Sequence, residues 1–460
     1  MSNMPAHSTR VIALSCVMAL SAASFAPLRA QSAPADRLID GALKDSAAWN
    51  RLAELVDTYG NRPVGSPSLE SAIDWIVAQM KKDGLDNVHT EPVMVPHWVR
   101  GRESATLLTP HRAPIHMLGL GLSVGTPAGG ITAPVLVVND FADLHAHAAQ
   151  AKGKIVLFDH HFDTTKPPFD AYSDAVIYRA LGADSAAAYG GVAALVRSVT
   201  PHSLSTPHTG AMRYGDTTAK AHHVPAAAIT LEDADMLHRI QNRGQAIRVT
   251  LKMEAHMLPD AHSRNIIAEV RGSELPDEVI VLGGHIDSWD VGQGAMDDGG
   301  GVVAAWEAVR LIKQLGLKPK RTIRVVGWVN EEMGGRGAKA YHEAHRAELP
   351  KTKFALESDN GVFTPKGIRL TGPDSLLPVV KELMAPLARI GVTQATMGEP
   401  EADVTPLAEA GVPALGLDID ASRYFWYHHT DADMMTALDP HQVALCVATM
   451  GVVVLQAANR

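Results

Sequence analysis

Two kinds of side chain, histidine and carboxylate, recur along the second half of the chain in a pattern suited to divalent-metal and proton-transfer chemistry. His285 and Asp287 stand in Gly283-Gly284-His285-Ile286-Asp287, and Asp297 follows in Ala295-Met296-Asp297-Asp298-Gly299. Glu331 and Glu332 come after Trp328-Val329-Asn330, Asp359 after Leu356-Glu357-Ser358, and His428 and His429 before Thr430-Asp431-Ala432-Asp433. One carboxylate can bridge two Zn²⁺ ions about 3.5–4 Å apart while each ion takes a histidine and a further carboxylate and keeps a place for water. Each piece alone has a plainer explanation: a lone histidine is usually structural, Asp-Asp-Gly makes a turn, and Glu-Glu favours a helix start. Their succession is what singles out a site for two divalent ions.

The elements needed to position these residues are legible around them. From about Ser263 onward, apolar runs alternate with amphipathic stretches, the signature of a mostly parallel sheet covered by helices on both faces, an α/β fold. Strands are expected at 279–282, 322–329, 354–356 and 414–417, and helices at 301–315, 337–345 and 440–458. The candidate ligands then fall at or near the carboxyl ends of strands, where open α/β sheets hold their ligands. Upstream, 36–82 is helical with a loop at Asn61-Arg62-Pro63-Val64-Gly65, and 88–98 alternates like a strand. Between about Arg102 and Leu251 the texture changes to short β-like runs broken by Gly, Pro, Ala and His. This predicts a β-rich domain, 102–251, inserted into a body made of 31–101 and 252–460.

Composition agrees with a large soluble core: 460 residues, 46% hydrophobic and 20% charged, with only two Cys and 22 His. Disorder, collagen-like repeats and a disulfide scaffold are excluded on these figures. The net charge of −9 argues against nucleic acid as a partner. Arg10, the apolar run from Val11 to about Ala26, and Leu28-Arg29-Ala30 read as an export signal cut after Ala30, so the protein is expected to be secreted or periplasmic. The run is shorter than the roughly 20 residues that span a bilayer, so no stable membrane insertion is expected. Cleavage would remove Cys16 and leave Cys446, in an apolar stretch, as a small buried hydrophobe.

The stretch from Gly284 to Gly301, His-Ile-Asp-Ser-Trp-Asp-Val-Gly-Gln-Gly-Ala-Met-Asp-Asp-Gly-Gly between its end glycines, resembles the signature of the co-catalytic zinc exopeptidases, and within them the carboxypeptidase Q type. The resemblance extends to Asp74-Trp75-Ile76, Thr206-Pro207-His208-Thr209-Gly210 and Phe425-Trp426-Tyr427-His428-His429. It implies that His285, Asp297 and Asp359 hold one zinc, that Asp297, Glu332 and His429 hold the other, and that Glu331 is the general base. Asp287 would receive the other ring N–H of a ligand histidine. His428, where some relatives carry a tyrosine, would stabilise the oxyanion, and Asp403 would support the site from behind. The inserted segment resembles a protease-associated lid, in which His208 would reach the substrate terminus. Arg423 is a candidate for a substrate carboxylate, beside the plainer explanation of a surface arginine. The implied activity is hydrolysis of dipeptides or short peptides with free termini, by a homodimer; an aminopeptidase of the same family is the alternative, and a non-catalytic binding ectodomain the remoter one.

Competing motifs fail on context. Gly121-Leu122-Ser123-Val124-Gly125 matches a serine-nucleophile pattern but is followed by Thr126-Pro127-Ala128-Gly129-Gly130, where no helix could start well. His342-Glu343-Ala344-His345 is one residue too short for the zinc-protease helix motif and is expected to be solvated helix surface. Asp159-His160-His161-Phe162-Asp163 is likewise expected to be a solvated loop.

Overall fold

A computed structural model describes residues 1–3, 33–215 and 223–460. The expected export signal and Cys16 therefore lie, apart from the first three residues, outside the described residues.

An eight-stranded mixed sheet carries the ligand-type residues. Its strands run in the order Asp86–Val99, His256–Val270, Arg321–Trp328, Leu275–His285, Thr352–Glu357, Ala414–Ile419, Pro365–Thr371 and Gln394–Met397. Arg321–Trp328, Leu275–His285, Thr352–Glu357 and Ala414–Ile419 are parallel, so their carboxyl ends share one edge of the sheet. Runs such as Val279-Ile280-Val281-Leu282 are continuously apolar because both faces are covered. Alternate residues divide between two layers. Ile280, Leu282, Ile323, Val325 and Leu356 face the helices Gly300–Gln314 and Pro440–Asn459, whereas Val281, Val326, Trp328 and Ala355 pack with Ala338, Tyr341 and Leu407 on the other side.

Helix starts follow local chemistry. Ser66 accepts a hydrogen bond from the Leu69 N–H with Pro67 in the first turn, and Asp439 accepts from the N–H groups of His441 and Gln442 ahead of Pro440. Among the described residues, only Pro440–Asn459 is long and apolar enough to cross a membrane, and 78% of its apolar window is buried inside the fold. Cys446 sits on this helix, donates to the Phe363 carbonyl at 3.1 Å, and has its thiol pKa pushed up by burial, as expected of a small buried hydrophobe.

The chain leaves the main sheet at Val99 and returns at His256, the residue paired opposite it. Residues 103–253 supply a second eight-stranded sheet, in the order Ala113–Ile115, Glu103–Thr109, Arg248–Met253, Ile131–Val138, Ile155–Phe158, Ala193–Arg197, Ala226–Ile229 and Met117–Gly119. The β-like runs are there, but so is the 21-residue helix Pro168–Ala188, which the sequence pattern did not announce. Alanine favours helix yet adds little to hydrophobic periodicity, so an Ala-rich helix carries a weak apolar stripe.

One buried arginine ties together the sheet edge that carries the ligand-type residues. Arg62, fully buried, donates to the carbonyls of Ile286, Gly60, Gln293 and Gly294 at 2.7–3.0 Å, and its backbone N–H donates to Ser288 Oγ. It braces the loop joining His285 to Asp297. Burial pulls its pKa down, to about 10, against nearby Asp433, Asp287, Asp298 and Asp297, so it stays charged at neutral pH. Arg62→Met would strand several buried carbonyls at about 1–3 kcal/mol each, and a loss of at least about 3 kcal/mol is expected in chemical denaturation of the metal-free protein. An unchanged midpoint would remove this bracing role.

Candidate metal centre

At the shared edge, Asp297 lies between the two histidines, one carboxylate oxygen toward each. His285 Nε2 is 3.2 Å from Asp297 Oδ1 and 3.3 Å from Asp359 Oδ1. His429 Nε2 is 3.3 Å from Asp297 Oδ2 and 3.2 Å from Glu332 Oε2. Each histidine thus shares Asp297 and has one carboxylate of its own. His285 Nε2, Asp297 Oδ2 and Glu332 Oε1 are buried with no hydrogen-bond partner among the described residues, although such groups are almost always paired. Histidine and carboxylate donors of this kind, converging without partners of their own, fit divalent ions of the zinc type.

The electrostatics point the same way. Burial opposes protonation of His285, but Asp297 and Asp359 win and hold its pKa well above the usual range. His429 is pushed up to about 10, where Glu332 and Asp297 overcome burial. Asp297, though buried, is held well below the carboxylate range by His285 and His429. Burial, reinforced by Asp297, raises Glu332 to about 7, and burial with Asp359 holds Glu331 well above its usual value. So many carboxylates in a dry site need positive charge among them.

Surrounding groups fix the geometry. His285 Nδ1 donates to the backbone carbonyl of Asp287 at 2.9 Å, whereas the nearer Asp287 carboxylate oxygen is 3.9 Å away. The expected partner was that carboxylate. It instead accepts from the N–H groups of Glu331 at 3.3 Å and Glu332 at 3.4 Å, orienting the Glu-Glu turn. A residue two positions on can cap a histidine with its main chain, which frees its side chain for another strand end. His429 Nδ1 faces the Thr209 carbonyl at 3.3 Å, and the Thr209 N–H donates back to the His429 carbonyl at 3.0 Å. In both histidines Nε2 is therefore left for a ligand.

Other buried acids do similar work that the sequence reading did not assign. Asp433 accepts from the N–H groups of Met296 at 2.7 Å and Asp297 at 3.2 Å. Asp298 accepts from those of His285 and Gly301, both at 3.0 Å. Glu357 accepts from Asp403 and Val404, at 2.9 and 3.0 Å. Asp403 itself is buried, with both carboxylate oxygens unpartnered among the described residues, and burial, despite nearby His285, keeps it well above the carboxylate range. Position beside known candidates was the only sequence signal for Asp298 and Asp433.

A cavity of about 370 Å³ opens onto the centre, lined by Asp297, Glu331, Glu332, Asp359, His428 and His429 among others. Phe169, Tyr172 and Arg179 come to it from the helix Pro168–Ala188. The His428 ring stacks on His429 at 3.5 Å, and its Nε2 is 3.6 Å from Asp297 Oδ2. His208 is buried beside this pair, and burial with the neighbouring His429 lowers its pKa to about 3, so it is neutral. Arg423 lies over the Phe363 ring at 5.2 Å and is not among the residues lining the cavity.

The competing motifs resolve differently. Ser123 is buried, donates to the Val124 carbonyl and accepts from the Ala226 N–H, leaving no nucleophile. His345 is not solvated surface: its Nε2 is 2.8 Å from Glu91 and its Nδ1 3.1 Å from Glu348, because that face of Arg336–Ala344 packs inward. Asp159 is not a solvated loop residue either. It is buried and could join His161 and Asp235 around a cation, but Arg197 Nη1 already sits 3.0 Å from Asp159 and 2.6 Å from Asp235.

The profile of peptidase family M28 matches residues 265–454. Carboxypeptidase Q of Xenopus laevis is 46% identical over 422 residues, covering 91% of this chain and 88% of that protein. Carboxypeptidase Q of Homo sapiens is 45% identical over 406 residues, covering 88% and 84%. A peptidase M28 precursor from Shewanella amazonensis has a TM-score of 0.87 at 35% identity, covering 93% of this chain and 96% of that one. A zinc aminopeptidase from Bacillus subtilis shares the fold, with a TM-score of 0.66 at 21% identity over 90% of this chain and 95% of that one.

Proposed function

Since the chain belongs to peptidase family M28, with carboxypeptidase Q proteins as near relatives, and is a zinc peptidase, we propose that it is a two-zinc exopeptidase for dipeptides or short peptides with free termini. The observation that carries this is Asp297, whose two oxygens face two histidines that each have a carboxylate of their own. His285, Asp359 and Asp297 would hold one ion, and His429, Glu332 and Asp297 the other. When bound, the ions supply Lewis acidity toward the scissile carbonyl and lower the pKa of water.

The chain's own residues do the rest. Glu331, lining the cavity and raised in pKa by burial, takes the proton of the attacking water and delivers it to the leaving amine. Asp287 keeps Glu331 in place through its backbone N–H. His428 is assigned to the charge developing on the carbonyl oxygen, as the one cavity histidine outside both ligand sets. Residues 102–251 form an inserted domain whose helix Pro168–Ala188 walls the cavity, and the N-terminal Arg10 and apolar run direct export.

Metal analysis of the purified protein is expected to return about two zinc per chain. Chelation should abolish hydrolysis of unblocked dipeptides, and zinc should restore it. Full activity after exhaustive chelation, or cleavage confined to peptides blocked at both ends, would overturn the proposal.

A further inference from the structure

Resting on that proposal, the structure assigns Arg179 a specificity role: we infer that its guanidinium receives the free α-carboxylate of the substrate, making the enzyme a reader of peptide carboxyl termini. Arg179 lines the metal cavity, on the same helix as Phe169 and Tyr172, ten and seven residues further along, or about three and two turns. It is the only arginine or lysine among the cavity-lining residues. Among the described residues, no carboxylate pairs with it. Among those residues its Nε is buried without a hydrogen-bond partner, and the hydrogen bond that it makes is a long one, from Nη1 to the Thr209 carbonyl at 3.4 Å. Other enclosed arginines have their donors matched, Arg62 by four backbone carbonyls, Arg100 by Asp290 at 2.6 Å and Arg324 by Glu269 at 2.7 Å. A partly enclosed cation left without an anion is costly, and an arriving carboxylate would relieve that cost.

The surroundings shape this group for a planar anion. The guanidinium lies against Gly210, where an added Cβ would come within 2.4 Å of Cζ and Nη1. The guanidinium also lies over the Tyr172 ring, Cζ 5.5 Å from the ring centre. Tyr172 in turn meets His428 edge-on at 5.4 Å, so the cation stands near the histidine assigned to the carbonyl oxygen, in the cavity that the acids of the metal centre also line. A carboxylate matches the rigid fork of an arginine in two parallel hydrogen bonds. A peptide amine would be repelled from the same position, which separates carboxyl-terminal recognition from the aminopeptidase alternative. The sequence offered Arg423 for this task only beside the plainer reading of a surface arginine; the position of Arg179, on a helix that the pattern did not announce, becomes visible only in the folded chain.

The test uses the zinc-loaded full chain and a panel of dipeptides, each as the free acid and as the carboxyl-terminal amide, with cleavage followed at the same internal bond. Wild type should favour the acids by about 10²-fold in kcat/KM, as expected for a site whose charged donors are stranded by the analogue. Arg179→Met should lose this preference mainly by slowing the acids, with zinc content unchanged, and Arg179→Lys should fall between, keeping the charge without the fork. A readout independent of turnover is calorimetric titration with leucine and leucinamide: wild type should bind leucine at least about tenfold more tightly, and Arg179→Met should not. Equal cleavage of acids and amides by wild type, or an unaltered preference in Arg179→Met, overturns the inference and leaves the metallopeptidase proposal standing. Absence of any zinc-dependent cleavage would instead sink that proposal, and the leucine titration would still decide the role of Arg179.

Discussion

Glu331→Gln is expected to lower kcat by about 10²–10⁴-fold while leaving zinc content and fold intact. The physical reason is the contrast between two adjacent glutamates. Glu332 Oε2 lies 3.2 Å from His429 Nε2, inside the proposed ligand set, whereas Glu331 forms no ion pair among the described residues and lines the cavity. Both backbone N–H groups are held by the Asp287 carboxylate, so replacing the Glu331 side chain with its uncharged isostere should not disturb the turn. Glutamine keeps the shape and loses the ability to take a proton. Steady-state kinetics on an unblocked dipeptide, with metal analysis of the same preparation, checks this. A variant that keeps wild-type kcat would mean that another group moves the proton; a variant that loses zinc would place Glu331 among the ligands.

Asp297→Ala should behave differently, with metal content and turnover falling together. Its two oxygens face His285 and His429, so one substitution removes a donor from both proposed ion positions. Activity should drop by at least about 10³-fold, since polarisation of the carbonyl and acidification of water both depend on bound metal. The histidines would remain near Asp359 and Glu332, but without the group that holds them to a common centre. Metal analysis after dialysis, beside circular dichroism, separates lost ligation from lost folding. Retention of about two zinc per folded chain would exclude Asp297 as the bridge.

These variants test residues that were all visible in the sequence, and the reason is topological. In a parallel sheet the strand ends converge, so ligands spaced far apart along the chain are brought to one edge by the same regular alternation that makes the strands recognisable. The strand runs at 279–282, 322–329, 354–356 and 414–417 all appear in the folded chain, as Leu275–His285, Arg321–Trp328, Thr352–Glu357 and Ala414–Ile419, the first much longer than its apolar run. Their apolar character is a local property, set by burial on both faces. Metal-type side chains at their ends are local too.

What required the tertiary structure was partnership. Asp287 was legible as a supporting acid, but only the fold shows its backbone meeting His285 while its carboxylate holds the Glu331-Glu332 turn. Asp433 supports Asp297 across more than a hundred residues, and Arg62 braces the ligand loop from a segment far upstream. His345 and Asp159 read as solvated because nothing nearby in sequence reveals Glu91 or Arg197.

By itself, the sequence determined the α/β class, the strand ends and the residue types able to hold metal, because periodicity and side-chain chemistry act over short distances. Only the tertiary structure decided which oxygen faces which nitrogen, which charges are paired, and that Arg179 is left unpaired beside the cavity. Hydrogen bonds and ion pairs depend on distances of a few ångströms between segments remote in the chain, and those distances exist only once the sheet and its helices have packed.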